Sequence, residues 1–188
     1  MDLFLMDLLL RGLVPERARV LDAGCGSGRN LIYFLKHDFE VSAVDANPAE
    51  VRATNFMAKQ LGKAAVCQLA EVSALPYAPE TFDLVICSRV LHFSTNAAQF
   101  LTSLHELHRV LRAGGLLYLA TDSAIGMEAL IQQNEEGISQ FPDGTFRFLL
   151  TPELLQTIDA SWEKVMDHRT IIFDQKHAET TLILRKNH

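Results

Sequence analysis

Val20-Leu21-Asp22-Ala23-Gly24-Cys25-Gly26-Ser27-Gly28 is a short apolar strand running into a glycine-rich loop, and a helical pattern opens behind it near Arg29. Glycines in such a loop permit a tight turn and let a ligand lie against bare backbone. The N-terminus of the helix that follows offers unpaired N–H groups to an anion. Seventeen residues beyond Gly28, Asp45 closes a second apolar run, Glu40 to Asp45. An acid at that strand end can accept hydrogen bonds from both hydroxyls of a ribose. Strand, loop and distal acid together predict a nucleoside-cofactor site. The dinucleotide fingerprint G-x-G-x-x-G would need glycine at position 29, where the chain has Arg29; Gly28 comes one residue early.

Outward from this point, strand-length apolar runs alternate with helical patterns, which predicts an α/β fold with a parallel sheet and helices on both faces. Asn47 as N-cap, Pro48 at the first helical position and Glu50 placed for a capping box start a helix that Gly62 stops. A third strand is predicted from Ala65 to Leu69 and a fourth from Phe82 to Ser88, both mostly apolar and suited to burial on two faces. Between Asn96 and Leu111 a helix sets Phe100, Leu104, Leu107 and Leu111 on one stripe. Gly114 and Gly115 then turn the chain into a fifth strand, Leu116 to Thr121. The stretch 122–150 is weakly periodic and long for a connection, as substrate lids and binding loops are. Thr151 and Pro152 start a last helix. Two β-branched runs, His168 to Asp174 and Thr180 to Arg185, joined by Gln175 to Glu179, then predict an antiparallel hairpin.

A chain of 188 residues, 48% apolar, buries enough surface to fold as one domain without disulfide or metal staples, and we read 1–188 as that domain, with 1–18 a leading helix and lead-in. The formal charge of −6 argues against gripping nucleic-acid phosphates, which needs clustered Lys and Arg. Cys25, Cys67 and Cys87 are odd in number, widely spaced and set in or beside apolar runs, as buried reduced thiols are; this and the lack of a secretory signal suggest a cytoplasmic protein. The opening run carries Asp2 and Asp7 where a signal peptide needs positive charge, and it is too short to span a bilayer, so no membrane partner is expected. His105-Glu106-Leu107-His108 lacks the H-E-x-x-H spacing and no metal site is expected.

At the glycine loop the sequence resembles the class I S-adenosylmethionine-dependent methyltransferases, whose first motif is an acid, any residue, then G-x-G-x-G; Asp22, Gly24, Gly26 and Gly28 match it. Glu71-Val72-Ser73-Ala74-Leu75-Pro76-Tyr77 resembles the family's acid-x-x-x-L-P-aromatic segment, in which the acid or its neighbouring backbone faces the adenine. Phe82 to Val85, Ser88 to His92, and Leu111-Arg112-Ala113-Gly114-Gly115 resemble the fourth strand, its exit and the turn before the fifth strand. Within the class, Gly28-Arg29-Asn30, Glu40 to Asp45 and Phe146 to Val165 look like the small tellurite-resistance type. The resemblance implies a Rossmann-like, doubly wound sheet, mostly parallel, with a C-terminal antiparallel hairpin. It implies S-adenosylmethionine as cofactor and S-adenosylhomocysteine as product. Asp22, Ala23, Gly24, Cys25, Gly26, Gly28, Arg29, Asn30, Asp45, Ala46, Glu71, Val72 and Ser88 are the expected cofactor residues.

A sulfonium methyl is already electrophilic, so the enzyme need mainly hold the acceptor in line and exclude water. No nucleophilic triad or metal is required. The family's amino-methylating nucleic-acid enzymes carry Asn/Asp-Pro-Pro-aromatic after the fourth strand, where this chain has Cys87-Ser88-Arg89-Val90. No cysteine follows a proline, as cytosine C5 enzymes need, and Ser88 and Arg89 offer none of the acids of metal-dependent catechol enzymes. A small-molecule acceptor or a protein side chain remains, and we favour the small molecule. Ligands in such sheets bind at strand C-terminal ends, so Arg89, His92 and Arg147 are candidates for the acceptor pocket. His92 reads either as a general base or as a packing or cap residue, Arg147 either as an anion clamp or as a solvated charge. Tyr77 and Phe93 could face the sulfonium or pack in the core. An NAD-type oxidoreductase and a non-catalytic S-adenosylmethionine-binding protein are the alternatives. Nothing in the sequence distinguishes monomer from homodimer.

Overall fold

The computed structural model describes residues 1–141, 144–173 and 176–187. In chain order the elements are α1 (Leu3–Leu10), β1 (Arg19–Ala23), α2 (Leu31–Lys36), β2 (Glu40–Asp45), α3 (Pro48–Gln60), β3 (Cys67–Leu69), β4 (Phe82–Ser88), α4 (Ala97–Val110), β5 (Leu111–Ser123), β6 (Ile138–Gln140), β7 (Phe146–Phe148), α5 (Pro152–Ser161), β8 (Glu163–Lys164), β9 (Arg169–Phe173) and β10 (His177–Arg185). One sheet runs β3-β2-β1-β4-β5-β10, and β10 pairs on its far side with both β8 and β9. Pairing is parallel from β3 to β5 and antiparallel wherever β10 takes part. This is the doubly wound, mostly parallel α/β sheet with antiparallel C-terminal strands that the sequence predicts.

The period of two along each strand divides the core. Leu21, Val85, Cys87, Leu117, Leu119, Leu182 and Leu184 pack with Phe100, Leu104 and Leu107 of α4 and Ile158 of α5. Their neighbours in sequence, Val20, Leu84, Ile86, Leu116, Tyr118 and Ile183, pack with Leu5 and Leu8 of α1 and Phe34 of α2. Both faces of the central strands are therefore dry, which is why β4 and β5 read as unbroken apolar runs. Among the described residues no helix is long and apolar enough to cross a membrane.

Several boundaries depart from the sequence reading. The helix expected near Arg29 begins at Leu31; the Asn30 side chain caps nothing in α2 because its Oδ1 accepts from Asp2 N at 2.9 Å, tying α1 to the glycine loop. Asn47 does cap α3, accepting from Ala49 N, but its own N–H goes to Asp45 Oδ1 at 2.8 Å, leaving nothing for Glu50 to complete. The third strand is shorter than expected, and β5 longer, running straight on from α4 and through Gly114 and Gly115, with a register shift against β4 between Phe82 and Leu84. The stretch 122–150 is not a bare loop: Asp122 and Ser123 belong to β5, and β6 and β7 form an antiparallel hairpin with Ser139 opposite Arg147. The C-terminal hairpin closes earlier than expected, with His177 opposite Phe173; Asp174 and Gln175, given to its strand and link, lie outside the described residues.

Candidate active site

From β1 the chain winds outward to β3, then crosses to β4 on the other side of β1, so the connections leave β1 and β4 in opposite directions and open a crevice at their C-terminal ends. A cavity of about 560 Å³ lies there. Its wall is built from four strand ends: Asp22, Gly24, Cys25 and Gly26 after β1, Asp45 and Ala46 after β2, residues 70–73 after β3, and residues 88–91 after β4.

The three loop glycines have different reasons to be glycine. A Cβ on Gly24 would lie 2.3 Å from Val90 Cγ2, so this glycine lets β1 and the β4 exit close on each other. A Cβ on Gly28 would meet Met57 Cε at 2.6 Å and Thr54 Oγ1 at 3.1 Å, so this one seats α3. At Gly26, with φ of +50°, a Cβ meets no protein atom within 4 Å; it would project where the loop faces the cavity. The loop is held from below, since Thr54 donates to Gly26 O at 2.7 Å, and from the side, since Gly26 N donates to Asp45 Oδ2 at 2.8 Å. The Asp45 carboxylate thus spans the loop and the start of α3, with lone pairs left for a ligand.

Asp22 is the anomalous group. Its side chain faces the cavity, yet Oδ2 is buried and has no hydrogen-bond partner. Burial pushes its carboxyl up to about 7 from the usual 3.8, with Arg29 opposing and Asp45 adding to the rise. Ser88 Oγ, also in the cavity wall, is likewise buried and unpartnered. A buried carboxylate without a donor is costly, and the crevice holds one ready for a cation.

At the β4 exit Arg89 sits at φ of +62°, a conformation that costs a non-glycine residue about 1–3 kcal/mol and is retained where surrounding structure enforces it. Here Arg89 N donates to Ala120 O at 2.7 Å and the guanidinium Nε donates to Glu179 of β10. Phe93, 71% exposed, flanks this end of the cavity, and Gln99 and Ser103 of α4 line it. Glu179, Thr54, Gln99 and Ser103 were not found from sequence. Only Ser103 left a signal: a small polar residue on the Phe100-Leu104-Leu107 stripe marks where that face stops being core.

Four expected site residues lie elsewhere. Ala23 is fully buried on the α4 face, because the period of two turns it away from Asp22. Gly28 faces α3, as above. His92, in a 3-10 turn at Leu91–Phe93, is 5% exposed and off the cavity wall; its Nδ1 lies 3.2 Å from Asp122 Oδ2 without the alignment of a hydrogen bond. Burial lowers its pKa, Asp122 opposing and Arg147 and Arg89 adding. Arg147 does not line the cavity: its NH1 donates to Asp122 Oδ2 at 2.8 Å and its guanidinium lies 4.6 Å from the centre of the Phe141 ring. Tyr77 packs edge-on to Phe82, and of the two residues considered for the sulfonium only Phe93 reaches the cavity. In the His105–His108 stretch, Glu106 binds Arg109 and Leu75 N, and His108 packs on Trp162.

Asp122 and Arg147 therefore tie the β6–β7 hairpin to the end of β5. Arg147→Ala is expected to remove a charged hydrogen bond to a buried carboxylate, lowering stability by about 1.5–3 kcal/mol and speeding amide exchange through residues 138–148. Cofactor affinity should not change, since neither residue lines the cavity. Exchange in this segment as slow as in the parent would show that the pair holds nothing.

Residues 21–119, more than half of the chain, match the Methyltransferase domain family. The chain belongs to that family, among the class I S-adenosylmethionine-dependent methyltransferases. The malonyl-(acyl-carrier protein) O-methyltransferase of Pseudescherichia vulneris is 33% identical over 155 residues, covering 82% of this chain and 58% of that one. A SAM-dependent methyltransferase of Methanosarcina mazei has the same fold at TM-score 0.76 and 18% identity, covering 95% of this chain and 97% of the other. So does the 1,6-didemethyltoxoflavin-N1-methyltransferase of Burkholderia thailandensis, solved with 1,6-didemethyltoxoflavin and S-adenosylhomocysteine, at TM-score 0.69 and 23% identity, covering 96% and 76%. The chain spans less than two thirds of the length of the curated relatives it matches. The family assignment removes the NAD-type oxidoreductase alternative.

Proposed function

We propose that this chain binds S-adenosylmethionine in the crevice and passes its methyl group to a small-molecule acceptor held at the Arg89–Phe93 end. The observation that carries the reading is the pair of carboxylates at adjoining strand ends, Asp45 holding the glycine loop and Asp22 buried with an unpartnered oxygen. The cofactor has the groups that these two residues lack. Asp45 would take its ribose hydroxyls, Asp22 and Ser88 its ammonium, and Arg29 and Asn30 at the loop its carboxylate, while Ala46, Glu71 and Val72 would flank the adenine. Gly24, Cys25 and Gly26 would present backbone to it, with Ala23 and Gly28 supporting from behind.

When bound, S-adenosylmethionine supplies an electrophilic methyl, so the chain's own part is positioning and exclusion of water. Phe93 would cover the mouth, Arg89, pinned by Glu179, would orient the acceptor, and Gln99 and Ser103 would offer it hydrogen bonds. No proton-transfer role is assigned to His92. Two of the three similar proteins are a malonyl-(acyl-carrier protein) O-methyltransferase and a 1,6-didemethyltoxoflavin-N1-methyltransferase, so the likeness leaves the acceptor atom open.

Calorimetric titration with S-adenosylhomocysteine tests the reading, and Asp22 gives it a signature. Because its pKa is raised to about 7, the native ligand-free protein keeps a proton that the unfolded chain releases above about 4, so stability falls as pH rises across that window and levels off above it. A ligand ammonium favours the deprotonated form, so affinity should rise about tenfold between pH 6 and pH 8, and Asp22→Asn should flatten the rise. Absence of binding overturns the reading. Binding without transfer to any of a panel of oxygen, nitrogen and sulfur acceptors leaves a cofactor-binding protein.

A further inference from the structure

Cys25 and Cys67 stand 42 residues apart in sequence, yet their sulfurs are 3.4 Å apart. The sheet order explains the meeting. β2 lies between β1 and β3, and the glycine loop folds over the end of β2, where Cys25 N donates to Val44 O at 3.0 Å; Cys67 starts β3 opposite Ala43. The two sulfurs meet beneath the loop, both thiols buried, with Cys25 in the cavity wall.

The two residues are held differently. Cys67 is fixed by Asn55 of α3, which donates to Cys67 O and accepts from both Val66 N and Cys67 N. Cys25 lies between Gly24 and Gly26, two glycines at positive φ, on a loop outside the strands. A disulfide needs the sulfurs at about 2.05 Å, so the pair has to close by a little over an ångström, a shift that falls on the loop because Cys67 is paired in β3 and held by Asn55.

We propose that Cys25 and Cys67 form a thiol-oxidation site that takes a hydroperoxide, and that their disulfide draws the glycine loop onto β3 and so closes the crevice to the cofactor. In the first step one thiol gives up its proton, its thiolate attacks the peroxide, the O–O bond breaks, and a sulfenic acid forms as one water or alcohol leaves. In the second, the other thiolate attacks the sulfenic sulfur, the S–O bond breaks, the S–S bond forms, and hydroxide leaves as water with the proton shed by that thiol. Two thiols lose two protons and two electrons, and the hydroperoxide is reduced by two electrons.

The hydrogen bond between the sulfurs favours Cys67 as the first thiolate, with its burial opposing, while the same bond and burial hold Cys25 protonated. Cys87, fully buried in β4, is not part of the pair. Closing the disulfide pulls on Gly26, whose N–H meets Asp45 and whose carbonyl meets Thr54, so the contact surface of the loop shifts by about the distance that the sulfurs travel. The inference rests on the cofactor reading for its consequence, not for its chemistry.

Reduced full-length protein treated with hydrogen peroxide should lose the mass of two hydrogens and yield a linked Cys25–Cys67 peptide under non-reducing digestion. S-adenosylhomocysteine affinity should fall by roughly tenfold or more and return with dithiothreitol. Saturating S-adenosylhomocysteine before the peroxide should slow the linkage. Cys67→Ser should bind as the reduced parent does and show no drop reversed by dithiothreitol, while Cys87→Ser should behave as the parent. Thiols that stay unlinked overturn the proposal, and so does a Cys25–Cys67 link that leaves affinity unchanged. If the reduced parent binds no S-adenosylhomocysteine, the crevice reading fails separately, and the mass still decides the disulfide.

Discussion

Gly26→Val is expected to abolish cofactor binding, raising Kd on the order of 100-fold or more, while the protein still unfolds in one cooperative transition. The two halves of this expectation have separate causes. A Cβ at Gly26 meets no protein atom within 4 Å, so nothing in the fold rejects the side chain by contact, and its methyl groups enter space that the ligand would need. The folded state still bears the strain of a β-branched residue at φ of +50°, about 1–3 kcal/mol, against the 5–15 kcal/mol of a typical domain. Gly62→Val is the matched control: φ is +72°, a Cβ there also meets nothing, and it sits past the end of α3, away from the cavity. Both variants should lose similar stability by denaturant melt, and only Gly26→Val should lose S-adenosylhomocysteine in calorimetry. Equal binding by the two would make Gly26 a turn residue and no more.

What could be read from the sequence follows from how local each signal is. The strand–loop–helix unit at 20–36 and the Asp45 strand are contiguous, and each carries its own marker: apolar run, glycine spacing, terminal acid. Their meeting in space follows from the handedness of a βαβ unit, so residues on the glycine loop and on the ends of β2 and β4 fall on one cavity as the pattern implies. Thr54 and Asn55 escaped notice because an amphipathic helix shows which face is buried, but not that two polar side chains on it reach a loop carbonyl and a neighbouring strand. Arg109 is a similar case. Its Glu106 partner three residues earlier looks like an ordinary surface pair, yet the guanidinium also caps Leu75 O and Tyr77 O, fixing the turn behind the β3 wall.

The acceptor end was least legible, and the reason is the β6–β7 hairpin. Three-residue strands such as Ile-Ser-Gln and Phe-Arg-Phe are too short for periodicity to register, so 122–150 read as a loop and its charges as solvated or ligand-facing. Once paired, the hairpin sets Arg147 against Asp122, and that carboxylate in turn lies against His92, so two residues expected at the acceptor gather instead on one carboxylate at the end of β5. Arg89 stays in the cavity wall because its partner Glu179 comes from β10, a strand that no parallel nucleotide-binding sheet supplies. The antiparallel ending thus does more than cover β5; it brings the carboxylate that holds Arg89 in its strained conformation.

Asp45→Ala is expected to weaken S-adenosylhomocysteine binding by about 1.5–3 kcal/mol, roughly 10- to 150-fold, the worth of hydrogen bonds to a charged group. The structure adds a second reason beyond the ribose. Oδ2 accepts from Gly26 N and Oδ1 from Asn47 N, both at 2.8 Å, so the carboxylate also sets the loop against the start of α3 before any ligand arrives. Removing it leaves both donors to water and lets the loop relax, and binding must then also order the loop. Asp45→Asn separates the two roles. The amide keeps one oxygen to accept from Gly26 N or Asn47 N but loses the charge and one acceptor, so it should recover part of the loop order and little of the ribose contact. Amide exchange at residues 24–28 reads the first role and calorimetry the second. An Asp45→Ala protein with parental affinity and parental exchange would remove the acid from the site altogether, and with it the central support for a nucleoside in the crevice.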